Sequence, residues 1–167
     1  NGMQNFNSVN NVKRDDFEKI FNANCYSFFE TLKISKFPSI SKKLNSIITI
    51  SSVASLKINK GISLYSASKS ALNNIVKSAA LEMSKKKIRV NSIILGHINK
   101  GMGDKVSKFL NDKQISILRD QHPLGFGSDK DLLNAIIFLL DKNKSRWITG
   151  TNFIVFPVLG ILLFLLL

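Results

Sequence analysis

Apolar positions recur along this chain in two rhythms. Phe17, Ile20, Phe21, Phe28 and Leu32, with Asn24 between them, follow helical spacing. That spacing predicts a helix from near Phe17 to about Lys33, with Asp15 or Asp16 placed to cap its start. Pro38 marks the break after it. Ser46-Ile-Ile-Thr-Ile-Ser51 is a compact β-branched run with little alternation. Such a run reads as a strand buried on both faces, as in a parallel sheet. Ser63 to about Lys85 is a long helix with Ala and Ser on one stripe, and Ile88 to Leu95 is a second buried strand closed by Gly96. Residues 99–122 are polar with patches of helical spacing and read as an excursion from the core. Ser128-Asp129-Lys130-Asp131 is a loose capping box ahead of the apolar helix through Leu140. Gly150 precedes a third short strand, Asn152 to Phe156. Strands alternating with helices predict a parallel sheet with helices on both faces.

Composition narrows the picture. The chain has 167 residues, enough for one domain with a sizeable core, and its 44% hydrophobic and 21% charged content is that of a globular protein. Twenty-four Lys and Arg against 11 Asp and Glu give a net charge of +13. No one arm or face collects that charge, so it reads as a Lys-rich composition and not as a nucleic-acid surface. The densest run, Lys85-Lys86-Lys87, falls at a predicted helix end, where cations complement the dipole. The single cysteine, Cys25, excludes an internal disulfide and points to a reducing, cytoplasmic setting; its apolar surroundings mark it as a core residue. His97 and His122 are not spaced as metal ligands, and no metal site is expected. Asn1 to Asn11 is polar and unlike a signal peptide. Phe153 to Leu167 is almost wholly apolar, yet shorter than the roughly 20 residues a spanning helix needs. Membrane contact is therefore expected only as association through that tail.

The candidate chemistry begins with Tyr65 and Lys69, four residues apart and so one turn apart on one helix face. A lysine beside a tyrosine favours the phenolate and lowers its pKa. A phenol so tuned can exchange a proton with a substrate oxygen. Alone, the pair also fits an incidental surface contact. Ser52 stands thirteen residues earlier, at the carboxyl end of the first buried strand, where ligands of open parallel sheets bind. Its hydroxyl can hold a carbonyl or alkoxide oxygen, or simply close the strand-end turn.

Together these stretches resemble the classical short-chain dehydrogenases/reductases. The matching pieces are Ile47-Ile-Thr-Ile-Ser-Ser-Val-Ala-Ser55, Tyr65-Ser-Ala-Ser-Lys-Ser-Ala-Leu72 and Ile88-Arg-Val-Asn-Ser-Ile-Ile94. Downstream, His122-Pro-Leu-Gly-Phe-Gly, Asp131 through Leu140, and Ile148 through Val155 match the family's last core helix and strand. Asn24, 28 residues before Ser52, falls where the family has its active-site asparagine. The resemblance covers about residues 1–155 and implies a Rossmann-like, doubly wound α/β fold. It implies an NAD(P)-dependent oxidoreductase that interconverts an alcohol and a carbonyl, with NAD or NADP left open. Tyr65 would be the acid/base, Lys69 would lower its pKa and bind the nicotinamide ribose, and Ser52 would hold the reacting oxygen. Asn24 would help keep a water for a proton relay, and Gly96 and Ile98 would line the nicotinamide side. Residues 99–122 would be the substrate lid. The implied partners are a small carbonyl or alcohol substrate and further copies of the chain, as a dimer or tetramer.

The sequence departs from the pattern in several places. No Gly-x-x-x-Gly-x-Gly turn for a cofactor pyrophosphate occurs, and Asn1-Gly2 is placed like the remnant of an Asn-Asn-Ala-Gly motif. The expectation is an N-terminally truncated Rossmann-like domain, 1–155, followed by an atypical apolar tail, 156–167. Leu95-Gly96 replaces the usual Pro-Gly, and the family's cofactor-contacting threonine falls near Lys100. Two other readings stay open: a non-catalytic remnant unable to hold cofactor, and a sugar-nucleotide epimerase or dehydratase of the extended branch. The Ala67-Ser68 filling and the Asn24 spacing speak against the latter.

Overall fold

The computed structural model describes residues 3–4, 6–57, 59–98 and 110–156. Its described strands are β1 (Ser46–Ser52), β2 (Arg89–Leu95) and β3 (Asn152–Val155). They form one sheet in the order β1-β2-β3, and both pairings are parallel. In register, Ile47 stands beside Val90 and Ser52 beside Leu95; on the other side Leu95 stands beside Val155. All three carboxyl ends therefore share one edge, where the site is built.

The helices are α1 (Arg14–Phe21), α2 (Ser27–Lys33), α3 (Pro38–Ser41), α4 (Ser63–Ser84), α5 (Asp112–Asp120) and α6 (Asp129–Leu140). Side chains alternate across β2 and separate two cores. Val90 joins Leu72, Val76, Ala79 and Ala80 of α4 on one face. Ile93 joins Ala135 and Leu139 of α6 on the other. The doubly wound α/β arrangement expected from the pattern is thus present.

β2 is buried along nearly its whole length, as a strand covered on both faces should be, with Arg89, Asn91 and Ser92 buried among its apolar residues. β1 differs from expectation. It has one strand neighbour among the described residues, and Ile50 is exposed there. The first helix starts at Arg14, three residues early, with no side-chain cap. Asp15 and Asp16 sit inside its first turn, where their charge still suits the helix dipole. Pro38 opens α3 at its first position, where its missing N–H costs nothing, while the chain breaks at Phe37 just before it. At α6 the capping box forms as expected: Ser128 N–H donates to Asp131 Oδ2 at 2.7 Å. The hydrogen bonds to Ser128 hold the Asp131 carboxyl below the usual range. Gly150, at φ +69°, turns the chain into β3 and packs against Ala80, leaving little room for a side chain. Lys100 and residues 99–109 of the expected lid lie outside the described residues, as do Asn1, Gly2 and residues 157–167 of the tail.

Candidate active site

β1 ends at Ser52 and the chain tightens at once into a 3-10 turn, Val53–Ser55. Ser52 Oγ accepts the Ala54 N–H at 3.2 Å, and Ser55 Oγ donates to the Ser52 carbonyl at 2.6 Å. This turn sets Ser52 beside the first turn of α4, where Ser52 and Tyr65 line the same cleft and the Ser52 hydroxyl favours the ionised phenol. Tyr65 is buried. Burial pushes its phenol above the ordinary tyrosine value, and the Ser52 bond pulls partly back.

Lys69 follows one turn later, also buried, with Nζ 5.8 Å from the Tyr65 ring centroid. Its ammonium donates to the Ile50 carbonyl at 2.9 Å. Burial pushes the lysine below its ordinary value, while the nearby Cys25 thiol acts the other way. Burial of the phenol is thus the largest influence on Tyr65, and Ser52 is the group that acts against it. Cys25 is a core residue as expected; burial raises its thiol, which donates to the Ser68 carbonyl at 3.1 Å.

Asn24 lies in a π-helical turn, Asn22–Tyr26, between α1 and α2. The wider turn brings both Asn24 and Cys25 inward. Asn24 Oδ1 accepts the Met3 N–H at 2.8 Å, and its amide donates to the Met3 carbonyl and to Ser68 Oγ, both at 2.9 Å. The side chain is thus committed to protein partners. It fastens the Met3 segment against α4.

Gly96 closes β2 and donates its N–H to the Val155 carbonyl at 3.1 Å. A Cβ at this position would run into the Phe156 ring. Ile98 pairs with Gly127 in an isolated parallel bridge. Asn24, Ser52, Tyr65, Lys69, Gly96 and Ile98 all line one cleft of about 830 Å³ at the carboxyl edge of the sheet. Every site residue proposed from sequence is therefore in one place.

The sequence reading passed over other residues at this edge. His122 is buried; its Nδ1 lies 2.6 Å from the Leu118 carbonyl and its Nε2 accepts the His97 N–H at 3.4 Å. With Phe126 and Phe156 the two imidazoles form an aromatic wall, ring centroids 4.7 to 6.1 Å apart. Asn73 is also buried and bonded to the turn that carries Ser52. A signal for Asn73 existed, since Tyr65, Lys69 and Asn73 recur every fourth residue on one face of α4. Among the described residues no group of three or more His, Cys, Asp or Glu could hold a metal ion, and no helix is long and apolar enough to cross a membrane.

A hydroxyl at a strand's carboxyl end, with a buried Tyr and Lys on the following helix of a doubly wound parallel sheet, defines a dinucleotide-fold architecture. Comparison with known proteins agrees. Residues 1–155 match the family model described as enoyl-(acyl carrier protein) reductase. The chain is 34% identical over 149 residues to a 3-oxoacyl-(acyl-carrier-protein) reductase of Buchnera aphidicola, covering 89% of this chain and 59% of that protein. It is 33% identical over 150 residues to the enzyme of the same name from Bos taurus, with the same coverage. Among solved structures, 4-hydroxyisoleucine dehydrogenase complexed with NADH superposes with a TM-score of 0.84 at 28% identity, covering 96% of this chain and 65% of that one. Thermoplasma acidophilum aldohexose dehydrogenase, at 24% identity, shares the fold with a TM-score of 0.83, covering 96% of this chain and 65% of that one. The chain belongs to the classical short-chain dehydrogenase/reductase family. It spans 56–59% of the length of the curated relatives quoted above and their near kin.

Proposed function

We propose that this chain carries the reacting site of an NAD(P)-dependent oxidoreductase that interconverts an alcohol and a carbonyl. The observation that carries the reading is the meeting of Ser52, Tyr65 and Lys69 in one cleft at the carboxyl edge of the sheet. A nicotinamide cofactor supplies or accepts the hydride when bound. Tyr65, held neutral by burial, is in the form that gives a proton to a substrate oxygen in the reducing direction. Ser52, in the same cleft as the phenol, would hold that same oxygen. Lys69 favours the phenolate needed for the reverse direction.

The residues present fit the nicotinamide end of such a cofactor. Lys69 has three donors, of which the Ile50 carbonyl takes one, so it can also hold a ribose hydroxyl, with Tyr65 beside it. Gly96, with the Phe156 ring packed on it, and the apolar side chain of Ile98 line the same cleft, surfaces a flat ring packs beside. The name of the 4-hydroxyisoleucine dehydrogenase structure, with its NADH, is in keeping with this reading. The choice between NAD and NADP stays open. The substrate is proposed as a small carbonyl or alcohol, and the working form as a homo-oligomer. Residues 1–155 are proposed as one partial Rossmann-like domain, with 156–167 a segment of different character. A cytoplasmic setting is supported by the unbridged Cys25.

The competing reading is a chain that keeps these residues but does not retain cofactor. It rests on the absence of a pyrophosphate-binding Gly-x-x-x-Gly-x-Gly turn from the sequence. Fluorescence titration with NADH and with NADPH separates the two: saturable binding excludes the remnant, and no binding removes the oxidoreductase reading for this chain. With binding in hand, Tyr65→Phe is expected to lower turnover by about 10²-fold or more while cofactor still binds. Retained turnover would show that the tyrosine assignment is wrong.

A further inference from the structure

We propose that Asn73 and Ser55 are positioning residues that hold Ser52 against Tyr65. The inference rests on reading Ser52 and Tyr65 as reacting residues, and it starts from a directed chain of hydrogen bonds. Ser92 Oγ on β2 donates to Asn73 Oδ1 at 3.2 Å. Asn73 Nδ2 donates to Ser55 Oγ at 2.8 Å. Ser55 Oγ donates to the Ser52 carbonyl at 2.6 Å. A second tie comes from the same helix, where Ser70 Oγ donates to the Ser55 carbonyl at 2.9 Å.

The chain crosses three elements, β2, α4 and the 3-10 turn, and ends on Ser52, which lines the cleft with Tyr65 and lowers the phenol's pKa. Asn73 and Ser92 are buried, so each unmade bond would leave a desolvated polar atom. That cost makes the arrangement all-or-none: the amide orientation is set by Ser92, and it delivers an N–H where Ser55 needs to be held. Ser55 in turn fixes the Ser52 carbonyl and the turn that begins there. Without that hold, the turn after Ser52 keeps only the Ser70 tie and its own backbone bonds, and the Ser52 Oγ is set less firmly toward the Ala54 N–H and Tyr65. A plain rivet between helix and strand would stabilise the fold without reaching the phenol. Here the polar path leads to the reacting group.

The two tyrosines, Tyr26 and Tyr65, make the test direct. In the full chain carrying Tyr26→Phe, 3-fluorotyrosine is incorporated at Tyr65, and its ionisation is followed by fluorine NMR against pH. This phenol titrates lower than tyrosine, so less alkali is needed to follow it. Ser52→Ala sets the full shift expected when the hydroxyl is lost, an upward movement of about one pH unit or less. Asn73→Ala and Ser55→Ala are expected to move the midpoint most of that way. Ser55→Thr, which keeps the donor, is expected to stay near the parent. Val76→Ala, one turn beyond Asn73 in the same core, is expected to lower stability without moving the midpoint. Unmoved midpoints in folded Asn73→Ala and Ser55→Ala would overturn the proposal, and so would a shift in Ser55→Thr equal to that of Ser55→Ala. If Asn73→Ala fails to fold, the Ser55 pair decides. The readout needs neither cofactor nor turnover. An inactive parent chain would therefore count against the proposed function and leave this inference to be judged on the titration alone.

Discussion

The buried Lys69 ammonium shows how a proposed site residue is kept at the expense of stability. Burial pushes its pKa down, so the folded state disfavours the charged form. The sign follows from proton binding. Between the folded value and the ordinary 10.5, the unfolded chain binds more protons, so this residue's penalty fades as pH rises through that window. Tyr65 acts oppositely. Its pKa is raised, so its contribution is intact below about pH 10 and is lost as pH climbs toward the folded value. Lys69→Met, which keeps the apolar stem, is therefore expected to gain about 1 kcal/mol at pH 7 while turnover falls. Urea unfolding at pH 7 and pH 10 checks this, with the advantage over the parent shrinking at the higher pH. At this scale the residue types of the site were legible from their spacing. Their electrostatic state was not. Helical spacing puts Tyr65 and Lys69 on one face, but the depth to which packing buries them decides which way each pKa moves.

Elements were legible wherever one rhythm ran unbroken. α4, β2 and α6 appear within a residue or two of their predicted bounds. The first helix was foreseen as one element, and the structure interrupts it with the π turn at Asn22–Tyr26. A π turn adds one residue and shifts the phase, so Ile20, Asn24, Cys25 and Phe28 all point inward. A pattern read at 3.6 residues per turn does not reveal that shift. Helix ends were also only half legible. The Lys85-Lys86-Lys87 run was read as charge complementing the dipole. In the structure Lys86 Nζ reaches the Ser35 carbonyl at 3.1 Å, and Lys87 adopts a left-handed conformation, φ 59°. A side chain in that conformation costs about 1 kcal/mol. Lys87→Gly is expected to raise stability by up to about that amount, offset in part by the greater freedom of glycine in the unfolded chain. Thermal unfolding reads it, and a lower midpoint would contradict the assignment.

At the scale of the whole molecule, the sheet and the last helix are joined by a residue that local pattern does not single out. Arg89, at the start of β2, is buried, and burial lowers its pKa, with Asp141 acting against that. Its guanidinium donates to the Leu139 carbonyl at 2.7 Å, to Ser145 Oγ at 2.8 Å and to the Leu140 carbonyl at 3.4 Å. These are the open carbonyls at the end of α6, where a cation also suits the helix dipole. Arg89→Ala removes charged donors from buried acceptors and is expected to cost about 2 kcal/mol or more. Chemical denaturation measures it. Arg89→Lys, a point donor without the fork, should recover only part of the loss.

The sequence by itself determined the elements, their parallel alternation and the chemistry-bearing face of α4, because these depend on periodicities of two and 3.6 residues within short windows. It also carried the family resemblance that brought Asn24, Ser52, Tyr65, Lys69, Gly96 and Ile98 together. Only the tertiary structure decided how those groups are held: Asn24 spent on Met3 and Ser68, Lys69 on the Ile50 carbonyl, Ser52 on the Ala54 N–H. Only it showed the path from Ser92 through Asn73 and Ser55. Hydrogen bonds are directional and short, so their partners are chosen by where packing sets two distant backbones. For Asn24, Lys69 and Asn73 that choice is made across 18 to 44 residues, beyond the reach of any local rhythm.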